Sequence, residues 1–149
     1  MFRMYLSIFI LLCLMAFVVN GYENKNKDNH SIHLVSERQK ADSGKALYTK
    51  YCMSCHQADG SGVPGMYPPL NKSNWVNGDK KRLITILLNG LNGEIEVNNE
   101  TYNQAMPLQN FLTDKQIAEL LTYIRKNFDN KANPVKINEV TKLRKSKSH

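Results

Sequence analysis

Residues 52–56 of this 149-residue chain read Cys-Met-Ser-Cys-His, and no other stretch restricts the fold as much. Two thiols three positions apart on a turn of helix can each add to one vinyl group on the same porphyrin edge. The residue after the second thiol then lies beneath the ring. C-x-x-C-H is therefore the attachment signature of c-type haem, with Cys52 and Cys55 as the thioether residues and His56 offering its imidazole to the iron. The rest of the chain has one covalently held haem c to fold around.

Other uses of the cysteines explain less. A structural zinc site needs a second Cys or His pair at ligand spacing, and the remaining cysteine, Cys13, sits inside an apolar N-terminal run. A redox dithiol of thioredoxin type needs a βαβ context, and no strand-like run precedes Cys52. An inert buried pair leaves the adjacent His56 unexplained.

The N-terminus bears on the compartment. Arg3 is followed by an uncharged apolar run, Met4 to Val19, and then by the polar Asn20-Gly21-Tyr22-Glu23-Asn24-Lys25. That order reads as an export signal. The run exceeds a minimal signal core and falls short of the roughly 20 residues of a comfortable membrane span, so residues 1–20 are expected to be a signal peptide or an N-terminal membrane anchor. A lipid anchor on Cys13 is disfavoured, because Leu12 occupies the place of the small residue such a signal carries. The expected location is periplasmic or on the outer face of the bacterial inner membrane. Residues 21–37 are rich in Asn, Lys, Asp and Ser without an apolar period, and read as a flexible linker in which His30 and His33 are exposed rather than iron ligands.

The chain carries 20 Lys and Arg against 13 Asp and Glu, a formal charge of +7. The excess is concentrated after Asn130, where Lys131, Lys136, Lys142, Arg144, Lys145 and Lys147 face the single acid Glu139. The body at 38–130 is thus near neutral, and 131–149 reads as a basic C-terminal tail. It is expected to be a disordered solvating extension, the competing reading being an arm for an acidic redox partner or an anionic membrane surface. Nucleic acid is not an expected partner of an exported chain.

Helical periodicity is expected over 41–51, with Leu47, Tyr48 and Tyr51 on one face and Asp42 or Ser43 as cap, so the Cys52–His56 motif ends a helix. A second helix is expected over 79–89, stopping at Gly90. A third carries Ile117, Leu120, Leu121, Ile124 and Phe128 on one stripe, opened by a Thr113/Gln116 capping box with Leu112 and Ile117 as a staple. Residues 95–102 read as a small hairpin turning at Asn98-Asn99, and the Gly- and Pro-rich 59–70 as a loop around one haem edge.

A haem with one histidine needs its other face explained, and Met53, Met66 and Met106 are the candidates. Met53 lies inside the attachment loop. Met66 follows His56 by only ten residues, too few for the chain to round the ring edge. Met106 comes fifty residues after His56, and Pro107 stiffens the strap that would present its thioether, a soft ligand that raises the potential of iron. A gap-filling core methionine is the competing role.

Over Lys40 to Asn130 these features resemble a class I c-type cytochrome of the bacterial monohaem kind. Gly44 and Tyr48, before Cys52, match the glycine and aromatic with which that family's N-terminal helix crosses its C-terminal helix, here the helix of Leu120 and Tyr123. Pro68 resembles the proline whose carbonyl accepts from the proximal imidazole, Leu70 the haem-packing leucine, and Met106-Pro107 the methionine ligand motif. The run 89–106 is similar to a branch associated with quinoprotein dehydrogenases and terminal oxidases. The resemblance implies an all-α cytochrome c fold with crossing terminal helices, irregular haem-wrapping loops and a small β-hairpin, His56 and Met106 as axial ligands, and a monomer. It assigns no role to the tail. Trp75 could reach a haem propionate through its indole N–H or serve in packing.

The expected activity is one-electron transfer between protein partners that dock at the haem edge near Cys52 and Cys55, without a substrate site and hence without enzymatic turnover of its own. The alternatives are a haem-bearing subunit of a dehydrogenase or oxidase, or a ligand-binding, sensing haem protein should Met106 leave the iron.

Overall fold

The computed structural model describes residues 43–146. The apolar run with Cys13, the linker with His30 and His33, and residues 147–149 lie outside the described residues. Helix α1, Gly44–Tyr51, is capped by the Ser43 side chain, and α2, Met53–His56, follows directly. A loop leads to the short α3, Asn74–Asn77, and then to α4, Lys80–Asn89, capped by Asp79 and stopped at Gly90. Strands β1, Ile95–Val97, and β2, Glu100–Tyr102, pair antiparallel with Ile95 opposite Tyr102. Helices α5, Asp114–Lys126, and α6, Ile137–Lys145, complete the described residues.

Local chemistry accounts for most of these boundaries. The Thr113/Gln116 box satisfies two amides that a helix start leaves without partners, and Arg125 and Lys126 stand in the last turn of α5, where the helix dipole favours cations. The hairpin turn puts Asn98 and Asn99 at φ of 54° and 65°, conformations Asn tolerates. Reciprocal bonds of 3.0 and 3.3 Å between Asn74 and Asn98 tie that turn to α3.

Burial then decides the packing. Ile117 and Leu120 on α5 are fully buried with Tyr48 on α1 and Ile84 on α4, each apolar side chain adding about 1.5–3 kcal/mol relative to exposure. The crossing of α1 and α5 is close because residue 44 is glycine: a Cβ there would lie 2.3 Å from the Glu119 carbonyl oxygen and 2.6 Å from Tyr123 Cβ. Tyr48 stacks next to it, its ring 5.8 Å from that of Tyr123 and 4.8 Å from that of Phe128.

The segment from Lys131, expected to be a disordered extension, is folded through residue 146. Val135 and Val140 join the hydrophobic core, Val140 with no exposed surface, and the Val135 amide and carbonyl both bond the Thr122 hydroxyl. Arg125, also buried, donates to the carbonyls of Asn133, Val76 and Gly78, joining this segment to the end of α3. Ile137, Val140 and Leu143 provide the apolar spacing for α6, a stripe hidden by the surrounding charges in the sequence.

Candidate functional site

The attachment motif occupies the corner between α1 and α2. The Cys55 and His56 amides both bond the Cys52 carbonyl, at 3.2 and 2.9 Å, which winds the pentapeptide into a tight turn and brings both thiols toward one side. Gln57 follows at φ 64°, and its carbonyl accepts from the Tyr48 hydroxyl at 2.5 Å, so the aromatic of the helix crossing also fixes the exit from the motif. The cysteines are unbridged. Burial, reinforced by the neighbouring Cys55, pushes the Cys52 thiol up to about 12.

His56 is oriented from behind. Its Nδ1 lies 3.0 Å from the Pro68 carbonyl oxygen. A carbonyl only accepts, so Nδ1 carries the proton and Nε2 keeps its lone pair for a metal. Burial lowers the His56 pKa, with the Pro68 bond opposing, and favours the neutral imidazole that metal binding requires.

Pro68 is itself held where it can do this. The Leu70 and Asn71 amides bond the Gly60 carbonyl at 2.8 and 3.0 Å, and the loop closes so tightly at Gly62 that a Cβ would meet the Tyr67 carbonyl at 2.3 Å. From the other side the buried Asn130 donates to the Leu70 carbonyl at 2.8 Å and to that of Ile124 at 3.1 Å, while its own oxygen accepts from Asn77 at 2.8 Å. One amide thus connects the loop of Pro68 and Leu70 to α5 and α3. Sequence reading missed Asn130, because two of its three partners, Leu70 and Asn77, lie more than fifty residues away along the chain.

Met106 is reached through Gly90. At φ 73° and ψ −174° Gly90 occupies backbone space open essentially to glycine alone, and it turns the chain so that Leu91 runs beside Met106. The two residues form an antiparallel bridge, Leu91 N to Met106 O at 2.9 Å and Met106 N to Leu91 O at 2.8 Å. Met53 and Met66 are exposed, whereas Met106 is half-buried against the core.

Cys52, His56, Pro68, Leu70 and Met106 all line one cleft with about 670 Å³ of empty space, part of it open to solvent. Its remaining wall is apolar, drawn from α4 and α5 through Leu83, Leu87, Leu121 and Ile124. An adjoining cleft shares Cys52, His56, Pro68 and Met106 and adds Cys55. This donor set fits haem c: two thiols for the vinyl carbons, a neutral imidazole with a free nitrogen, a soft thioether, and hydrocarbon walls for the macrocycle. Trp75 lines the cleft too, but its indole N–H donates to the Glu96 carbonyl at 2.8 Å and its ring lies under Arg82, so its hydrogen bond goes to the hairpin rather than to a propionate. Among the described residues no group of three or more His, Cys, Asp or Glu could hold a metal ion.

Comparison with known proteins agrees with this geometry. Cytochrome c-552 of Thermus thermophilus is 39% identical over 85 residues, covering 54% of this chain and 64% of that protein. The cytochrome c subunit of the quinone alcohol dehydrogenase of Gluconobacter oxydans is 29% identical over 134 residues, covering 87% of this chain and 28% of that subunit. The fructose dehydrogenase cytochrome subunit of Gluconobacter japonicus is 34% identical over 110 residues, covering 70% and 22%. The chain therefore spans less than two thirds of the length of these relatives. The family model described as cytochrome c matches residues 41–128, from the threshold of α1 to the end of the α5 turn, and so takes in every residue of the cleft. The attachment chemistry and the crossing helices thus belong together: this chain is a member of the cytochrome c family and carries its haem c covalently on Cys52 and Cys55.

Proposed function

We propose that this chain carries single electrons between redox partners, with His56 and Met106 as the two axial ligands. The observation that carries the reading is that both residues are held by backbone-anchored contacts at one apolar cleft, His56 by Pro68 and Met106 by Leu91. Haem c supplies an iron that takes up and returns one electron. The residues around it keep that exchange inexpensive. His56, fixed by Pro68, and Met106, fixed by Leu91, would hold the iron in the same place in both oxidation states, and the apolar walls would keep water from reorganising around the changing charge. Held by both side chains, the iron would have no position left for a substrate, and the chain would turn none over by itself.

Partners dock at the edge bearing Cys52 and Cys55, where Met53 is exposed, through small and transient contacts. The apolar N-terminal run supports export to the periplasm or the outer face of the inner membrane. Lys131, Lys136 and Lys142 are exposed and give the C-terminal region a positive field suited to an acidic partner or anionic headgroups. A second reading, a haem-bearing subunit serving a separate dehydrogenase polypeptide, is favoured by the match to dehydrogenase cytochrome subunits over most of this chain.

The ferric protein is expected to show the weak red absorption band of sulfur-to-iron coordination, and Met106→Ala to abolish it. A high-spin spectrum in the unaltered protein would reject the closed, electron-carrying site in favour of a ligand-binding one.

A further inference from the structure

The strap that leads from Met106 into α5 is gripped from its far side by α6. Arg144 donates from Nη1 to the Asn110 carbonyl at 2.9 Å and from Nη2 to the Leu112 carbonyl at 2.7 Å, and its Nε lies 2.6 Å from Asp114 Oδ1. Thr141, one turn earlier on the same face, donates its hydroxyl to the other oxygen of that carboxylate at 2.6 Å. A planar guanidinium offers its donors in a fixed fork, so three acceptors bound at once fix the spacing of the residues that carry them.

Its start is held by the Leu91–Met106 bridge, its end by the buried Leu112 and one ring by Tyr51, 5.3 Å from Phe111, but the stretch between has little else to hold it. Pro107, Leu108, Asn110 and Phe111 are exposed. Its amides bond outward through Gln109, to the Leu87 carbonyl at 2.7 Å, and its end carbonyls bond Arg144. Helix α6 is anchored independently, by the fully buried Val140 and by a 2.6 Å ion pair between Lys80 and Glu139. It also lies beyond the residues that match the family, 41–128.

We propose that Arg144 is a positioning residue for the methionine strap: through Asn110, Leu112 and Asp114 it limits how far Met106 can leave the iron, making α6 a latch on the closed site. The inference rests on the reading of Met106 as ligand. It accounts for a helix that neither lines the cleft nor belongs to the matched family region, yet commits its arginine to backbone carbonyls four and six residues after the methionine.

The test uses the full haem-loaded chain and imidazole as a small competitor for the ferric iron, whose apparent affinity reports how readily Met106 swings away. Arg144→Met is expected to tighten imidazole binding on the order of tenfold or more, two charge-assisted bonds to backbone carbonyls having been lost. Lys80→Met loosens the same helix at its other end without touching the strap, and should leave the affinity within about twofold of the unaltered protein. Should Arg144→Met not fold, Arg144→Lys keeps a cation near Asp114 but loses the fork, and a smaller tightening is expected. An unchanged affinity in the Arg144 variant, or equal tightening in both Arg144→Met and Lys80→Met, overturns the latch. Loss of the Met106 reading would look different, since the unaltered protein would then lack the sulfur band from the outset.

Discussion

Leu91 and Met106 exchange both of their backbone hydrogen bonds, so the position of the methionine is set from the residue just after Gly90. A Cβ on Gly90 would stand 2.6 Å from the Met106 carbonyl oxygen and 3.1 Å from the Leu108 amide, on a backbone at φ 73°. Gly90→Ala therefore combines a conformation costly for alanine with a clash against the strap itself. A loss of about 2–4 kcal/mol in urea unfolding is expected, together with a weakened sulfur-to-iron band. Retention of full band intensity would show that the bridge does not govern ligation.

At the helix crossing two effects oppose one another in Gly44→Ala. Alanine favours a helix over glycine by about 1 kcal/mol. The new methyl group, however, would overlap the Glu119 carbonyl oxygen at 2.3 Å, and backbone on a packed helix cannot move aside as a flexible side chain would. Overpacking should win and leave the variant less stable by about 1–3 kcal/mol. A raised urea midpoint would mean that α1 slides on α5 at little cost.

How far such features could be read from sequence depended on the range of the interaction. Helix α5 was legible because its apolar stripe and its Thr113/Gln116 box are local, and Gly90 because a helix stop is a local event. The hairpin was legible from Asn98-Asn99 for the same reason. Met106 was set apart from Met66 by chain length, fifty residues against ten after His56, and from Met53 by lying outside the attachment loop. By contrast α3 is a single turn capped by Ser73, too short for any period to register. Helix α6 exposes Ile137, buries Val140 and carries charges around its stripe, so composition outweighed pattern and suggested a solvated tail. Asn130, Arg125 and Arg144 act on carbonyls contributed by every residue type, which leaves no mark at the accepting position. Trp75 was expected either to reach a propionate or to serve in packing, and its indole N–H goes to the Glu96 carbonyl, an acceptor twenty-one residues away that the local sequence does not mark.

Acid should act first on the docking of α6. The Thr141 hydroxyl, then Arg144, hold the Asp114 carboxyl below its ordinary value of 3.8 against an opposing effect of burial, and the first turn of α5 favours the same anion. Lys80 and the Lys136 amide do the same for Glu139, below 4.5. A carboxylate whose folded pKa is lowered contributes stability that is complete above its unfolded value and disappears as pH falls through the folded one. The unfolding midpoint in urea should therefore hold steady down to about pH 5 and decline below about pH 4.5. Both carboxylates are partly exposed, so solvent moderates the slope. Asp114→Asn removes one of the depressed carboxylates that dock α6: stability at neutral pH should fall, and the decline below about pH 4.5 should become shallower. An acid slope identical to that of the unaltered protein would mean that Asp114 titrates no differently folded than unfolded, and that the contact with Arg144 is energetically silent.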